Sequence, residues 1–497
     1  MHLYKHLPYT LPNYLYYISF AMNKISNLLP KAALLTSIGL GLTSTAYALD
    51  KPTSMDEMWK IIQAQQKQID ELRKNQGHES SPASPHAETT SSVTKTADNH
   101  VKNLERKTDV LSQEVEKLRT NLAIPEEAKY KSAYGLGPAA SKVYGVSKGL
   151  SIGGYGQASY QANVGDKGDN KDNADLERIV LYAGYKFSDH ILFNSELEFE
   201  HGSTGEGSEE KGEVSVEMAA LDFFIDPMAN IRAGLVLMPM GFINTIHEPP
   251  FYFGNNRPEV EQRIIPSTWR EVGLGLFGQL LPDLSYTAYV VSGLDAKGFS
   301  SDGITEGRGG GSDAKAENFG YVARLDYTPS QVPGLTVGGS AYVGNAGQNQ
   351  SFVGKKADAF TQLYEAHLQW KYRGLEFRTL GSWGHINDAD VISASNGEVV
   401  GSENFGWYAE LGYDVLPLLL PETTQYLAPF FRYEMLDTVA KAPNGWDDDP
   451  TKDWEIYQVG LQYKPIPNVV VKADYRNRVA KQGLLSDDFN LGLGFIF

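Results

Sequence analysis

The sequence predicts an all-β transmembrane barrel of about sixteen antiparallel strands, preceded by a periplasmic α-helical coiled-coil segment. Three observations carry this. From Leu150 onward the chain falls into alternating apolar and polar segments of about ten residues; the connections between them are by turns very short and long; and the final segment ends on an aromatic, Phe497.

In that last segment Phe489, Leu491, Leu493, Phe495 and Phe497 alternate with Asn490, Gly492 and Gly494, so one face suits lipid and the other a lumen. Ile191, Phe193, Leu197 and Phe199 likewise oppose Asn194, Glu196, Glu198 and Glu200, and Phe405, Trp407, Leu411 and Tyr413 oppose Tyr408, Glu410 and Asp414. A soluble β-sandwich would not normally keep charges at its inward positions, because an unpaired buried charge is costly. Between Glu213 and Ile225 the alternation breaks: Val214, Val216 and Met218 share a parity opposite to Leu221, Phe223 and Ile225, which predicts a bulge or a shifted register.

The connections sort into two sets. Ser188-Asp189, Asp226-Pro227, Pro282-Asp283, Thr328-Pro329, Arg373-Gly374, Leu416 to Gln425 and Pro465 to Asn468 read as periplasmic turns. Gly202 to Gly212, Met240 to Ser267, Asp295 to Glu317, Asn345 to Ala359, Asn387 to Asn404 and Asp437 to Asp453 are long and charged, and read as extracellular loops.

Composition agrees. Across 497 residues only 41% are hydrophobic, and the mean hydropathy of -0.34 excludes a helical membrane protein, whose spans each need about twenty consecutive apolar residues. Tyr (28), Phe (21) and Gly (49) are used heavily, as interfacial girdles and close strand contacts require. Cysteine is absent, which removes disulfides, thiolate metal sites and a Cys nucleophile; no cofactor or metal is expected. A net charge of -17 argues against nucleic acid as a partner.

Ahead of the barrel, Lys24 and Lys31 flank a short n-region, Ala32 to Leu42 is apolar, and Ala46-Tyr47-Ala48 is a small-x-small cleavage triplet. Residues 1–48 are therefore expected to be a signal peptide, with 1–21 an upstream start or an extended n-region. Ser54 and Glu57 open a capping box, and Met55, Met58, Ile62, Ile69 and Leu72 form a seam interrupted by Gln65, giving a coiled-coil segment over 49–74. Residues 75–100 read as a disordered linker. Val101, Leu104, Thr108, Leu111, Val115, Leu118 and Leu122 then keep a/d spacing, giving a second coiled-coil segment over 101–124, with 125–149 a linker and 150–497 the barrel. So narrow a seam must be buried against another helix, and self-association into a homo-oligomer is the expected partnership; resting on the barrel mouth is the alternative.

On the inward parity lie Arg178, Arg232, Arg324, Arg378, Arg432, Lys472, Arg476 and Arg478, interleaved with Asp326, Glu365, Glu376, Glu434 and Asp474. Cation rows at a constriction favour anions, and guanidinium forks suit carboxylates; the same rows can instead pair with each other and stiffen the wall. The segment Met238 to Gly273 carries Pro249-Pro250 and Phe251-Tyr252-Phe253, too apolar for a freely solvated loop. It is expected to fold inward and narrow the pore, with solute contacts at His247, Arg257, Arg263, Trp269 and Arg270.

SKVYGVSKGLSIGGYGQ at Ser141 to Gln157, the text ending IPSTWREVG at Gly273, and the preceding coiled coil resemble the siderophore-porin family typified by the legiobactin receptor. The resemblance covers nearly the whole mature chain. It implies a sixteen-stranded barrel that takes up an iron-loaded polycarboxylate siderophore without a TonB plug, and its motifs name no ligand-binding residues. More distantly, the loop layout is similar to the phosphate-selective porins. The family pattern leads one to expect Glu where this chain has Gln157, which puts that position's role in doubt. Size agrees independently, since a TonB-dependent receptor needs a folded plug of roughly 150 residues and about twenty-two strands.

Three functions compete: a siderophore-selective porin, a general or anion-preferring diffusion porin, and an outer-membrane enzyme. The enzyme is weakest, because His190, His201, His247, His367 and His385 stand in no recognisable relation to a Ser or Asp partner. Outer-membrane lipid and an anionic ferric siderophore or another small solute are the expected partners.

Overall fold

The computed structural model describes residues 131–164, 171–204 and 212–497. The expected signal peptide, both coiled-coil segments and the linker at 75–100 lie outside the described residues.

The strands are β1 (Gly149–Val164), β2 (Asn173–Lys186), β3 (Ile191–Glu200), β4 (Val214–Asp226), β5 (Ala229–Leu237), β6 (Arg270–Leu281), β7 (Leu284–Ser292), β8 (Phe319–Tyr327) and β9 (Leu335–Asn345). They continue through β10 (Ser351–Phe352), β11 (Lys355–Lys356), β12 (Phe360–Tyr372), β13 (Leu375–Ile386), β14 (Glu403–Tyr413), β15 (Tyr426–Lys441), β16 (Asp453–Ile466), β17 (Val469–Ala480) and β18 (Asp487–Ile496). β10 and β11 form a small hairpin in the β9–β12 loop. The other sixteen make one closed antiparallel barrel, each pairing with its neighbour in sequence, and β1 pairs with β18 at Gln157↔Gly494 to close it. Closure leaves no unpaired edge in hydrocarbon, the condition for spanning a bilayer with strands.

The outer face is apolar. Leu274, Leu325, Val459, Leu461, Val471 and Leu493 are among its exposed residues. Aromatic side chains gather at its two rims: Tyr185, Phe187, Tyr327 and Tyr413 near the short turns, and Tyr160, Phe319, Trp383, Phe405 and Tyr457 near the long loops. Rings with an apolar body and a polar edge favour both membrane interfaces.

The break in alternation on β4 is a β-bulge. Glu196 pairs with Met218 and Leu197 with Val216, so Glu217 is the extra residue. Glu217 and Met218 therefore both point inward and are buried, while Val216 before them and Ile225 after them are exposed on the outer face.

Residues 131–148 fall within the expected linker and pack inside the short-turn end of the barrel. Leu136, Ala139, Ala140 and Val143 are buried there. The backbone N–H of Ala139 donates to Glu248 Oε1 at 2.9 Å, Asn194 donates to the Ala140 carbonyl at 2.9 Å, and the Tyr144 hydroxyl donates to Asp222 at 2.7 Å.

Candidate functional site

The β5–β6 connection, Met238 to Trp269, lies within the lumen. A chain crossing a cavity has carbonyl and N–H groups with no ladder partner, and each must be satisfied elsewhere. Inward side chains of the wall supply the partners. Arg378 donates to the Phe251 carbonyl at 3.0 Å, Lys472 to the carbonyls of Tyr252 and Gly254 at 2.9 and 2.7 Å, and Arg432 to those of Phe253 and Asn256 at 2.6 and 3.2 Å. Arg324 donates to the Gly241 carbonyl. Gln157 uses both ends of its amide, donating to the Asn255 carbonyl at 3.1 Å and accepting from the Tyr252 hydroxyl at 2.9 Å.

The loop also braces itself. Asn244 donates to the carbonyls of Met238 and Trp269 and accepts from the Trp269 N–H, tying the two ends together. Glu261, in the helical turn Val260–Ile264, accepts from the N–H groups of Phe242 and Ile243 at 2.7 and 2.8 Å and from the Tyr408 hydroxyl at 2.6 Å. Burial raises the Glu261 carboxyl above its ordinary range, and these donors and Arg378 only partly offset it. Gly241 has φ +67°, and a Cβ there would collide with the hydrogen-bonded Glu261 Oε2, so glycine is favoured on both counts.

Each cation picked out on the inward parity has a partner. Arg178 meets Glu198 at 3.1 Å and Arg324 meets Asp326 at 2.7 Å. Arg232 meets Asp222 at 2.7 Å and donates to Tyr144 at 3.0 Å. Arg378 and Arg432 share Glu410, at 3.4 and 2.8 Å. Arg476 lies between Asp488 and Glu259, at 2.8 and 3.3 Å, and Arg478 reaches Asp488 at 3.2 Å. Lys472 is spent on the loop carbonyls already named.

The five loop positions differ among themselves. Trp269 has no exposed surface and donates to Glu271 at 3.2 Å. His247 is buried with Nε2 2.9 Å from Glu196. Burial alone would push its imidazole down, and Glu196 more than offsets this, so the net direction is up. Arg257 is nearly buried and donates to Ser267, and Arg270 pairs with Glu217 at 3.0 Å. Arg263 is the most open: it pairs with Glu259 and Asp302 and lies over the Trp454 ring. It borders a cleft of about 270 Å³ at the long-loop end, shared with Gln262, Thr305 and Glu306. At the other end Phe251, Tyr252 and Phe253 border a narrower recess with Lys371, Glu376 and Arg378.

A closed sixteen-stranded barrel with a charged interior and a loop folded into its lumen is the architecture of an outer-membrane porin, a channel fold. No family model matches the sequence. The chain belongs to the same family as an uncharacterized protein of Aquifex aeolicus (strain VF5), to which it is 37% identical over 395 residues, covering 77% of this chain and 87% of that protein. Among solved structures it is similar to Salmonella typhi OmpF in complex with daunomycin, with a TM-score of 0.50 and 13% identity over 71% of this chain and 98% of that one. The outer membrane channel DcaP of Acinetobacter baumannii follows at a TM-score of 0.43, with 13% identity over 70% of this chain and 97% of that one. The anion-selective porin from Comamonas acidovorans has a TM-score of 0.44, with 10% identity over 70% of this chain and 99% of that one.

Proposed function

We propose that this barrel is a solute-selective porin in which the inward β5–β6 loop sets what can pass. The observation that carries the reading is the line of Arg378, Arg432 and Lys472 bonds to loop carbonyls, which holds the loop across the lumen. A fixed loop makes a constriction of defined width and charge. The substrate class we favour is an anionic ferric polycarboxylate siderophore, taken up without a TonB plug. Its support is the resemblance of Ser141 to Gln157 and of the loop text to siderophore porins, together with the guanidinium groups along the wall.

A second reading, a general or weakly anion-preferring diffusion porin, is favoured by the pairing of those cations with Glu198, Asp222, Asp326, Glu410 and Asp488, which leaves a mixed rather than a cationic lining. In both readings the N-terminal segment is exported, cleaved after Ala48, and self-associates in the periplasm through Val101 to Leu122.

Planar-bilayer recording separates the two. For the selective porin, current through the purified protein is blocked by a ferric polycarboxylate chelate, and deletion of Phe251 to Arg257 raises conductance and abolishes block together. Conductance without block points to the general porin. Growth on the iron-loaded siderophore as sole iron source, with and without the gene, tests uptake in cells.

A further inference from the structure

We propose that Glu196, Glu217 and His247 form a divalent transition-metal site that fastens the β5–β6 loop to the barrel wall. The three come from β3, β4 and the loop, are each buried, and bring one donor atom apiece to within 4.8 Å of one another. His247 Nε2 lies 2.9 Å from Glu196 Oε1 and 4.0 Å from Glu217 Oε2.

Proximity of acids alone would not make a site. Here two carboxylate oxygens, Glu196 Oε2 and Glu217 Oε2, are out of contact with solvent and have no hydrogen-bond partner. Buried acceptors are almost always satisfied, and the His247 imidazole between the two carboxylates reaches only Glu196 Oε1, which leaves both Oε2 atoms without a donor. His367, also buried in the lumen, shows the contrast. His367 lies 2.8 Å from Glu365 and 2.9 Å from Asp326, while Ser340 and Arg324 serve the remaining oxygens, so that cluster is complete as it stands.

The backbone prepares the first cluster. Glu217 faces inward only because it is the extra residue of the β4 bulge; without the bulge, strand parity would send either Glu217 or Met218 to lipid. Each ligand is steadied from behind, as metal ligands are. His247 Nδ1 faces the Asn244 carbonyl at 3.3 Å, which turns Nε2 toward the carboxylates. Arg270 holds the far oxygen of Glu217 at 3.0 Å, and the Tyr182 hydroxyl donates to Glu196 Oε1 at 3.1 Å.

One imidazole nitrogen and two carboxylate oxygens suit Zn²⁺, Mn²⁺, Fe²⁺ or Co²⁺ better than Ca²⁺, which prefers six or more oxygens. Binding displaces the proton on His247 Nε2. It leaves an open coordination position; the buried, unpartnered Tyr155 hydroxyl belongs to the same neighbourhood, its ring 5.8 Å from that of His247. The proposal does not depend on what the channel carries.

Untagged full-length protein, extracted in detergent, stripped with a chelator and dialysed, is titrated with ZnCl₂, and bound metal is counted by mass spectrometry. The expected result is one tight zinc per chain, an affinity about 100-fold or more weaker in Glu217→Gln and His247→Gln, and wild-type affinity in His367→Gln. Heat-modifiable migration reports whether each barrel has folded. Should a variant fail to fold, the wild-type protein loaded with CoCl₂ decides alone, because low-coordinate imidazole–carboxylate ligation gives visible d–d bands far more intense, and at longer wavelength, than the weak absorption of octahedral aqueous cobalt. Zinc affinity unchanged in both folded ligand variants, or a wild-type protein with neither tight zinc nor the intense cobalt bands, overturns the site.

Discussion

Asp474 on β17 accepts two hydrogen bonds from Asn255, a residue 219 positions earlier in the chain, from the backbone N–H at 2.8 Å and from the side-chain amide at 2.6 Å. Its other oxygen accepts from Gln458 at 2.8 Å and Asn490 at 3.0 Å. One carboxylate thus ties the tip of the inward loop to three neighbouring strands of the wall.

Replacing Asp474 by Ala strands these donors in a buried site, at about 1–3 kcal/mol for each that finds no substitute. The barrel, closed by its own ladders, should stay folded while the loop tip loosens. Limited proteolysis should then cut near Asn255-Asn256 in the variant and not in the wild type, and open-channel current should become noisier. Equal protease resistance would mean that the loop is held without this carboxylate.

Gln157 gives a sharper test, because glutamate is the residue the family pattern leads one to expect there. Glutamine both donates and accepts at this position, and a carboxylate can only accept. Gln157→Glu therefore loses the bond to the Asn255 carbonyl and buries a charge, and should weaken loop docking by about 1–3 kcal/mol. The Gln157→Glu barrel should unfold at a lower temperature than wild type at neutral pH, and the gap should shrink in acid as the new carboxyl protonates.

Glu261 links the loop to pH. Its carboxyl is raised by burial, so the folded loop binds that proton more tightly than the free chain does. A raised carboxyl stabilises most below its unfolded value, and the benefit is lost as pH rises through the folded value. Loop docking should accordingly be firmest in mild acid and weaken toward neutrality, seen as rising conductance between those limits. Glu261→Gln, which keeps an acceptor oxygen for the N–H groups of Phe242 and Ile243 and presents its amide N–H to the Tyr408 hydroxyl, should flatten that dependence.

Most of the barrel was legible in the sequence because strand alternation and tight turns are local signals. The inward parity of Arg232, Arg432 and Lys472 could be read from spacing of two, and the break in alternation between Glu213 and Ile225 announced a bulge on β4, which the structure places at Glu217, just before Met218. What these cations touch was not legible. Arg432 meets Glu410 and the Phe253 carbonyl through pairings set by register and by the fold of a long loop, neither of which has a periodic signature. Glu196 stood as one inward acid among several and Glu217 was not singled out, for the same reason: their closeness to His247 exists only after the loop has folded inward. Trp269 stood out by its composition, yet its indole is fully buried beside Tyr342, the rings 4.9 Å apart.

The lipid face can be tested against the lumen on a single strand. Val459 on β16 is half exposed on the outer surface, midway between the strand's ends, whereas its neighbour Gln458 is fully buried and bonded to Asp474 and Arg432. Val459→Arg places a charge near the bilayer midplane and should destabilise the barrel in lipid by about 2–4 kcal/mol. The same change at Lys464, near the end of the same strand and inward-facing, keeps the charge among polar groups and should cost much less. Urea unfolding in bilayer vesicles gives both numbers directly. In detergent micelles, which deform around a charge, the Val459→Arg penalty should shrink. An equal cost at the two positions would mean that Val459 does not face lipid, and that the strand register around Val459↔Tyr475 differs from the one described.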